Sequence, residues 1–253
     1  MKTFLIFDFK RAFFSKKTLI ASLIVLALLL IPCYSEFKFQ DPRVDGINYF
    51  IRIGGFTYLP FIAPLLASIP FSSSYIIDKE KDVFSKLFTI IEPKVYFTSR
   101  LIVNALVSGF VFLITKTIFL IFLISAYGIN NIHIDVTGAF SPIYNKSKIA
   151  YIIISLLITF VSAASFSTFI LGISTLTKSK FLILLLPLFY VVVTAVILPS
   201  AELVEQLNVM ALFQIDIYTK ITGIGIIFYD LILFSIGSFL FYCFGYKKMN
   251  KLL

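Results

Sequence analysis

Six stretches of this chain run for about 20 residues with hardly a charge, the length a helix needs to cross the hydrocarbon core of a bilayer. They fall at roughly 18–35, 49–76, 101–127, 150–176, 181–198 and 222–245. The chain has 253 residues, 59% hydrophobic and 14% charged, with a mean hydropathy of +1.00. A soluble domain is nearer a quarter charged and could not hide so much apolar surface from water. The expected fold is therefore all-α: an integral membrane protein of six transmembrane helices in one domain over residues 1–253. The net charge of +9 reads as topology rather than as a nucleic-acid footprint, because no soluble segment is long enough to carry a basic stripe.

Lys16 and Lys17 followed by "TLIASLIVLALLLIPCYS" imitate a signal peptide. The apolar region is too long and no small-x-small site follows it, while Pro32 stands where a lipoprotein-type cleavage before Cys33 wants a small residue. The segment is read as a retained span. Cys33 and Cys243 then fall on opposite sides of the bilayer and cannot bridge. Basic residues set the orientation. The presumptive inner segments carry Lys2, Lys10, Arg11, Lys16 and Lys17, then Lys79, Lys81, Lys86, Lys94 and Arg100, then Lys178 and Lys180, and finally Lys247, Lys248 and Lys251. The outer loops hold only Lys38, Arg43, Lys146, Lys148 and Lys220, with Arg52 at the edge. The expectation is a multi-pass protein of a bacterial cell membrane with both termini cytoplasmic.

Residues 1–17, "MKTFLIFDFKRAFFSKK", alternate aromatic and basic side chains. Helical spacing sets Phe4, Phe7, Arg11 and Phe14 along one side, which predicts an interfacial helix on the inner leaflet. The second span contains Pro60, Pro64 and Pro70, which predict a kink, with Gly54 and Gly55 near its start. Residues 199–221 space Leu203, Leu207, Met210 and Leu212 helically but are too polar to span. They predict short helices dipping into the outer headgroup region.

Catalytic chemistry is absent from the pattern. His133 is the one histidine and lies in a loop, no Gly-x-x-x-x-Gly-Lys-Ser/Thr phosphate cradle occurs, and no Gly-x-Ser-x-Gly elbow or paired-carboxylate cleft appears. "IRIGGFTYLP" lacks the residue order of a potassium filter. The expectation is no enzyme and no cofactor or metal on this chain.

The stretch "SSSYIIDKEKDVFSKLFTIIEPK" (residues 72–94) departs from its apolar neighbours. As one helix over residues 78–92 it puts Val83, Phe84, Leu87, Phe88 and Ile91 on one face and Asp78, Glu80 and Asp82 near its start, and Pro93 ends it. A bilayer needs only a tight turn there, so the segment is expected to dock a soluble partner. The interfacial helix, six spans, charged helix after span two, short helices before span six and basic tail together resemble the permease subunit of type-2 ABC transporters. Glu80, Leu87-Phe88, Pro93 and Arg100 match that family's acidic–Leu-Leu–Pro–basic loop, whereas Asp82-Val83 stands where the family usually has Gly-Thr. The resemblance implies a dimer of permeases, identical or closely related, on two cytoplasmic nucleotide-binding subunits that carry ATP and Mg. Glu80, Val83, Phe84, Leu87, Phe88 and Ile91 would then be the ATPase-docking residues of a coupling helix.

Thirty Phe and thirteen Tyr without Trp give a soft aromatic interior, which points to a hydrophobic or amphipathic cargo, a membrane-active peptide or a lipid. The small size and the Phe/Ile/Lys usage are similar to the short permeases of peptide-toxin exporters and bacteriocin self-immunity systems. Two other classes stay open: a passive channel or secondary carrier working on intramembrane charges, although no internal repeat is evident, and a non-transporting membrane anchor or sensor. The intramembrane charges are Lys116 and Asp230. Lys116 lies 11 residues from the end of span three and Asp230 8 residues into span six, roughly 16 Å and 12 Å by helical rise. Their depths predict a salt bridge between those spans, with Arg52 as the rival partner for Asp230.

Overall fold

The computed structural model describes residues 2–36, 44–198, 207–216, 218 and 221–247. Lys38, Arg43, Lys220, Lys248, Lys251 and the first part of the 199–221 segment, with Leu203, lie outside the described residues. Every regular element among those described is helical, and the chain is a membrane-embedded helical protein. Among the described residues, five helices are long and apolar enough to cross a membrane, and there are six crossings if one bent pair is counted as a single one.

Helix α1 (Lys2–Phe13) is separated from α2 (Lys16–Glu36) by a turn that Ser15 caps, its hydroxyl accepting from the Thr18 amide at 3.2 Å. α1 runs beside the long helix α7 (Pro93–Tyr127): Phe4 meets Tyr96, and Phe9 and Phe13 meet Phe110. The face expected to enter lipid is thus divided. Phe4 packs on the protein, while Phe7 and Phe14 stay exposed.

The second apolar stretch breaks into α3 (Gly46–Phe56) and α4 (Leu59–Ser68), bent by 84°. Pro60 has no N–H for the Phe56 carbonyl, and its ring would collide with that carbonyl, so α3 cannot continue through it. Thr57 makes the corner: its hydroxyl donates to Leu28 O at 2.8 Å and accepts from Leu59 N at 3.1 Å. The chain then turns through Ile69–Ser73 into α5 (Ser74–Glu80). Its contacts descend α7 throughout. The Gly46 amide bonds Gly128 O, Ser72 bonds Asn104, and Asp78 pairs with Arg100. The bent pair and α5 together therefore traverse the bundle.

After α6 (Val83–Leu87) and α7 come α8 (Ser141–Lys146), α9 (Lys148–Ile173) and α10 (Lys180–Val191), the last continuing in wider turns over Val192–Ile197. A 3₁₀ turn, Val209–Leu212, precedes α11 (Gly223–Leu240), which ends in wider turns over Phe241–Tyr246. The loop 207–216 does not lie at the rim. Phe213, Gln214 and Ile215 are buried, and the Phe213 carbonyl reaches Lys116 in the middle of α7.

α9 is the axis of the bundle, packed between α7 and α11. In a bilayer lipid solvates apolar helices as well as they solvate one another, so close approach at small residues and interhelical hydrogen bonds must supply the association. Both are present. Ser72 donates to Asn104 and to Ser167 O, Asn104 donates to Ser167 Oγ at 3.2 Å, and Ser108 donates to Ala67 O at 2.7 Å. Gly172 and Gly237 let α9 and α11 touch backbone to backbone, since a Cβ on either would come within 2.4 Å of the other helix's carbonyl oxygen. A Cβ on Gly109 would instead meet the Phe160 ring, which can turn aside. Gly237→Ala should therefore cost about 1–3 kcal/mol and Gly109→Ala less, as read by thermal unfolding of the chain in detergent micelles.

Candidate functional site

Residues 74–92 form two short helices rather than one. α5 ends at Glu80, and Asp82 takes the left-handed conformation, φ 49°, which interrupts the hydrogen-bond ladder. Aspartate tolerates that region better than most residues, and the Ser85 hydroxyl donates to both Asp82 O and Asp82 Oδ2 at 2.9 Å. α6 is one turn long, Phe88–Ile91 is a series of turns, and Glu92-Pro93 opens α7 with proline at its first position.

The apolar face of this segment turns inward. Phe84 is 6% exposed, stacked on Phe88 with centroids 5.4 Å apart, and closed in by Tyr75 and by the edge of Tyr96. Leu87, Phe88 and Ile91 are half-buried against the same core, Val83 is half-buried, and Glu80 is exposed and paired with Lys180. Phe84, Leu87, Phe88 and Ile91, four of the apolar residues read as a docking face, thus pack on their own protein, and Phe84 fills a pocket of its own chain. What remains outside is Lys79, Glu80, Lys81, Asp82, Ser85, Lys86, Thr89, Glu92 and an 81% exposed Ile90.

Behind the segment sits a buried ion cluster. Arg100, 1% exposed, pairs through Nη1 with Asp8 at 3.1 Å and through Nη2 with Asp78. Its guanidinium lies over the rings of Phe71 and Tyr96 at 4.8 and 4.9 Å, and the Tyr96 hydroxyl donates to Asp78 at 2.8 Å. Arg11 adds a weaker contact to each carboxylate, at 3.9 Å to Asp8 and 3.6 Å to Asp78. Two guanidinium groups and two carboxylates cancel in charge, and they join α1, α5 and α7. Burial pushes the Asp8 carboxyl above its ordinary pKa, and the Arg100 and Arg11 charges pull it back.

A second cluster closes the far end of α7. Asp45 caps α3, accepting from Asn48 N at 2.8 Å, and also takes the Asn130 amide at 3.0 Å and the Lys148 ammonium at 2.9 Å. Tyr144 donates to the Asn48 side chain, and burial raises the Tyr144 hydroxyl. His133 packs edge-on against Tyr144, and no metal-ligand cluster exists among the described residues.

Lys116 and Asp230 do not pair. Lys116 donates to Thr159 Oγ1 and to Phe213 O, both at 3.1 Å, while Asp230 accepts from Ser162 at 2.8 Å. Thr159 and Ser162 are three residues apart on α9, neighbouring positions on its surface, and each charge is satisfied by its own α9 hydroxyl rather than by the other charge. Arg52 lines an exposed cleft with Asp135 and Asp216.

Lys116 faces instead a small cavity of about 30 Å³ beneath the corner of the broken span, shared with Tyr151, Ser155, Gln214 and Asp216. Gly54 makes room for it, since a Cβ there would stand 3.2 Å from the Gln214 amide nitrogen. Burial raises the Asp216 carboxyl, an effect opposed by a backbone hydrogen bond and by the Lys116 charge.

No protein-family model, curated protein or solved structure matches the chain. The sequence carries only local signals for the two clusters: Asp8 in an aromatic-basic stretch with Arg11 three residues on, and Asp45 just ahead of an apolar helical run.

Arg100→Leu should cost about 3–5 kcal/mol, because it strands two buried carboxylates, and Arg100→Lys should not restore it, because an ammonium cannot reach both and lacks the planar face. Thermal unfolding in micelles reads both. Asp230→Asn keeps an acceptor for Ser162 and should unfold close to the native temperature, whereas the exchange Lys116→Asp with Asp230→Lys should be worse than either single change.

Proposed function

We propose that the chain is the permease subunit of an ATP-driven exporter of the type-2 ABC class, moving an amphipathic substrate across a bacterial cell membrane. One observation carries this reading. The short segment between the second and third crossings is rigidly backed by the Arg100 cluster, which ties it to α1 and α7, and it presents a charged face with Ile90 at its tip. A partner that pushes on Lys86–Ile90 would move three helices together rather than bend a loop. The basic residues at this end, from Lys10 to Lys94, favour placing it in the cytoplasm, where a nucleotide-binding subunit supplies ATP hydrolysis.

In this reading Phe84, Leu87 and Phe88 brace the coupling segment from within, and the contact surface is Lys81, Asp82, Ser85, Lys86, Thr89 and Ile90. The exposed Phe7 and Phe14 anchor α1 at the inner leaflet. A second permease completes the transport path, as the class requires. A carrier working on Lys116 is the second reading, favoured by the cavity at the broken span.

The test is affinity purification of the tagged chain from its native cells in mild detergent. An ATP-hydrolysing partner should co-purify. Lys86→Glu combined with Ile90→Asp should lose that partner while the chain itself elutes unchanged from a sizing column. Phe84→Ala should lower thermal stability by about 3–5 kcal/mol rather than selectively release the partner. A pure chain with no ATPase, in amounts that detect one per permease, overturns the proposal.

A further inference from the structure

Asp216 lines two spaces at once. One is the small cavity beneath the α3–α4 corner. The other is an exposed cleft of about 470 Å³ at the end of the bundle opposite the Arg100 cluster, lined also by Arg52, Gly55, Asp135 and Thr137. Ile51 borders both. Asp216 is half-buried and the Thr137 hydroxyl holds its carbonyl at 2.9 Å, which fixes the residue at the passage between the two spaces. On the cavity side the polar groups are ones that water satisfies. The Tyr151 hydroxyl, on a side chain 1% exposed, has no protein partner, and Lys116 commits two of its three N–H groups to Thr159 and Phe213. Ser155 and Asp216 complete the lining. A volume of about 30 Å³ takes roughly two waters, and these donors and acceptors suffice to hold them.

The other direction is shut. One turn nearer the Arg100 end, Phe112 is buried with its ring 5.3 Å from that of Phe213. Beyond it Asn104, Ser167 and Ser72 are hydrogen-bonded together, and Ser108 is bonded to Ala67 O. Apolar Leu29, Leu59 and Pro60 line the rest of the cavity wall. The titratable groups that face Lys116 are therefore Tyr151 from α9 and Asp216 from the 207–216 loop, with Arg52 of α3 and Asp135 farther out in the cleft. We propose that cleft and cavity form a water-filled half-channel from the outer face, through which Lys116 exchanges protons with the outside medium. In the exchange the Lys116 ammonium gives a proton to a cavity water while that water gives one of its own to the Asp216 carboxylate. An amine and a carboxylic acid result, and Asp216 then releases its proton to water in the cleft. The half-channel does not depend on the exporter reading; a carrier working on Lys116 would use it as one of its two paths.

Two measurements on the full chain test it. With Cys33→Ala and Cys243→Ala as background, Lys116→Cys is exposed to silver ions, small and unable to cross the bilayer, in whole cells and in inside-out vesicles. Thiols left free are counted with a maleimide after denaturation. Silver should consume the introduced thiol at least about tenfold faster from outside than from inside. Ser155→Cys lines the same cavity and keeps Lys116; it should behave alike, and serves if the lysine variant does not fold. Gly54→Leu carries a Cβ 3.2 Å from Gln214 Nε2 and 3.9 Å from Asp216 Oδ2, so it plugs the passage and should slow the reaction at least about tenfold. In the otherwise native chain, with isotope-labelled lysine in nanodiscs, saturating the water resonance should erase the Lys116 Nζ–H signal, identified by its loss in Lys116→Met. Asp216→Asn, which cannot take the proton, should slow that exchange at least about threefold and leave silver entry unchanged. Silver access that is equal from both sides or confined to the inside overturns the proposal. So does a rate indifferent to Gly54→Leu, a Lys116 signal that persists under water saturation, or an exchange indifferent to Asp216→Asn. Both measurements are read on the chain alone, so a negative result leaves the ATPase partner standing, and absence of that partner leaves the half-channel standing.

Discussion

A guanidinium buried between two aromatic rings and two carboxylates organises one end of this protein. Arg100 is drawn from a helix, Asp8 from the N-terminal helix and Asp78 from the far side of a broken one. None of these charges could be buried alone, because the desolvation of each exceeds what packing returns. Buried together they fix three helices whose apolar surfaces would otherwise slide in lipid with little preference for one register. Phe84 and its aromatic neighbours pack on Tyr96, one turn of α7 before Arg100, so the position of the 83–92 segment follows from that of the ion cluster.

The middle of the bundle uses a different chemistry. There the fold relies on Ser, Asn and Gly rather than on charge, with Asn104 and Ser167 bonded across α7 and α9 and Gly172 against Gly237 across α9 and α11. Small residues permit contact, and short polar side chains fix its phase. The two intramembrane charges, Lys116 and Asp230, are satisfied separately by two hydroxyls of α9.

Much of this was legible in the residues. Runs of about 20 apolar residues announce crossings because a bilayer tolerates nothing else, and Pro60 announces an interruption because it lacks a donor. The direction of the Phe84 face was not legible. Periodicity states that something covers such a face, and both a partner and the chain's own Tyr75 and Tyr96 satisfy it. The Lys116–Asp230 pairing failed for a related reason: counting residues fixes depth along the membrane normal and leaves open which hydroxyls and carbonyls lie nearer to each charge. The Arg100 cluster joins positions 8, 78 and 100, too far apart in sequence for any spacing rule to connect, and the cavity residues Tyr151, Gln214 and Asp216 meet only because a loop folds back into the bundle.

The 84° corner between α3 and α4 is bounded by two fastenings on the same straight helix. Gly46 is tied to Gly128 just past the end of α7, and Asp78 to Arg100 near its start. Those points are about 42 Å apart along α7, whereas residues 46–78 as one straight helix would measure about 48 Å. Folding arms of 11 and 10 residues through 84° shortens them by about 8 Å, enough to take up the excess of about 6 Å. The chain is a bow strung against a rigid rod. Straightening the corner would lengthen the path beyond the span between its fastenings, so one of them, or the turn at Ile69–Ser73, would have to give.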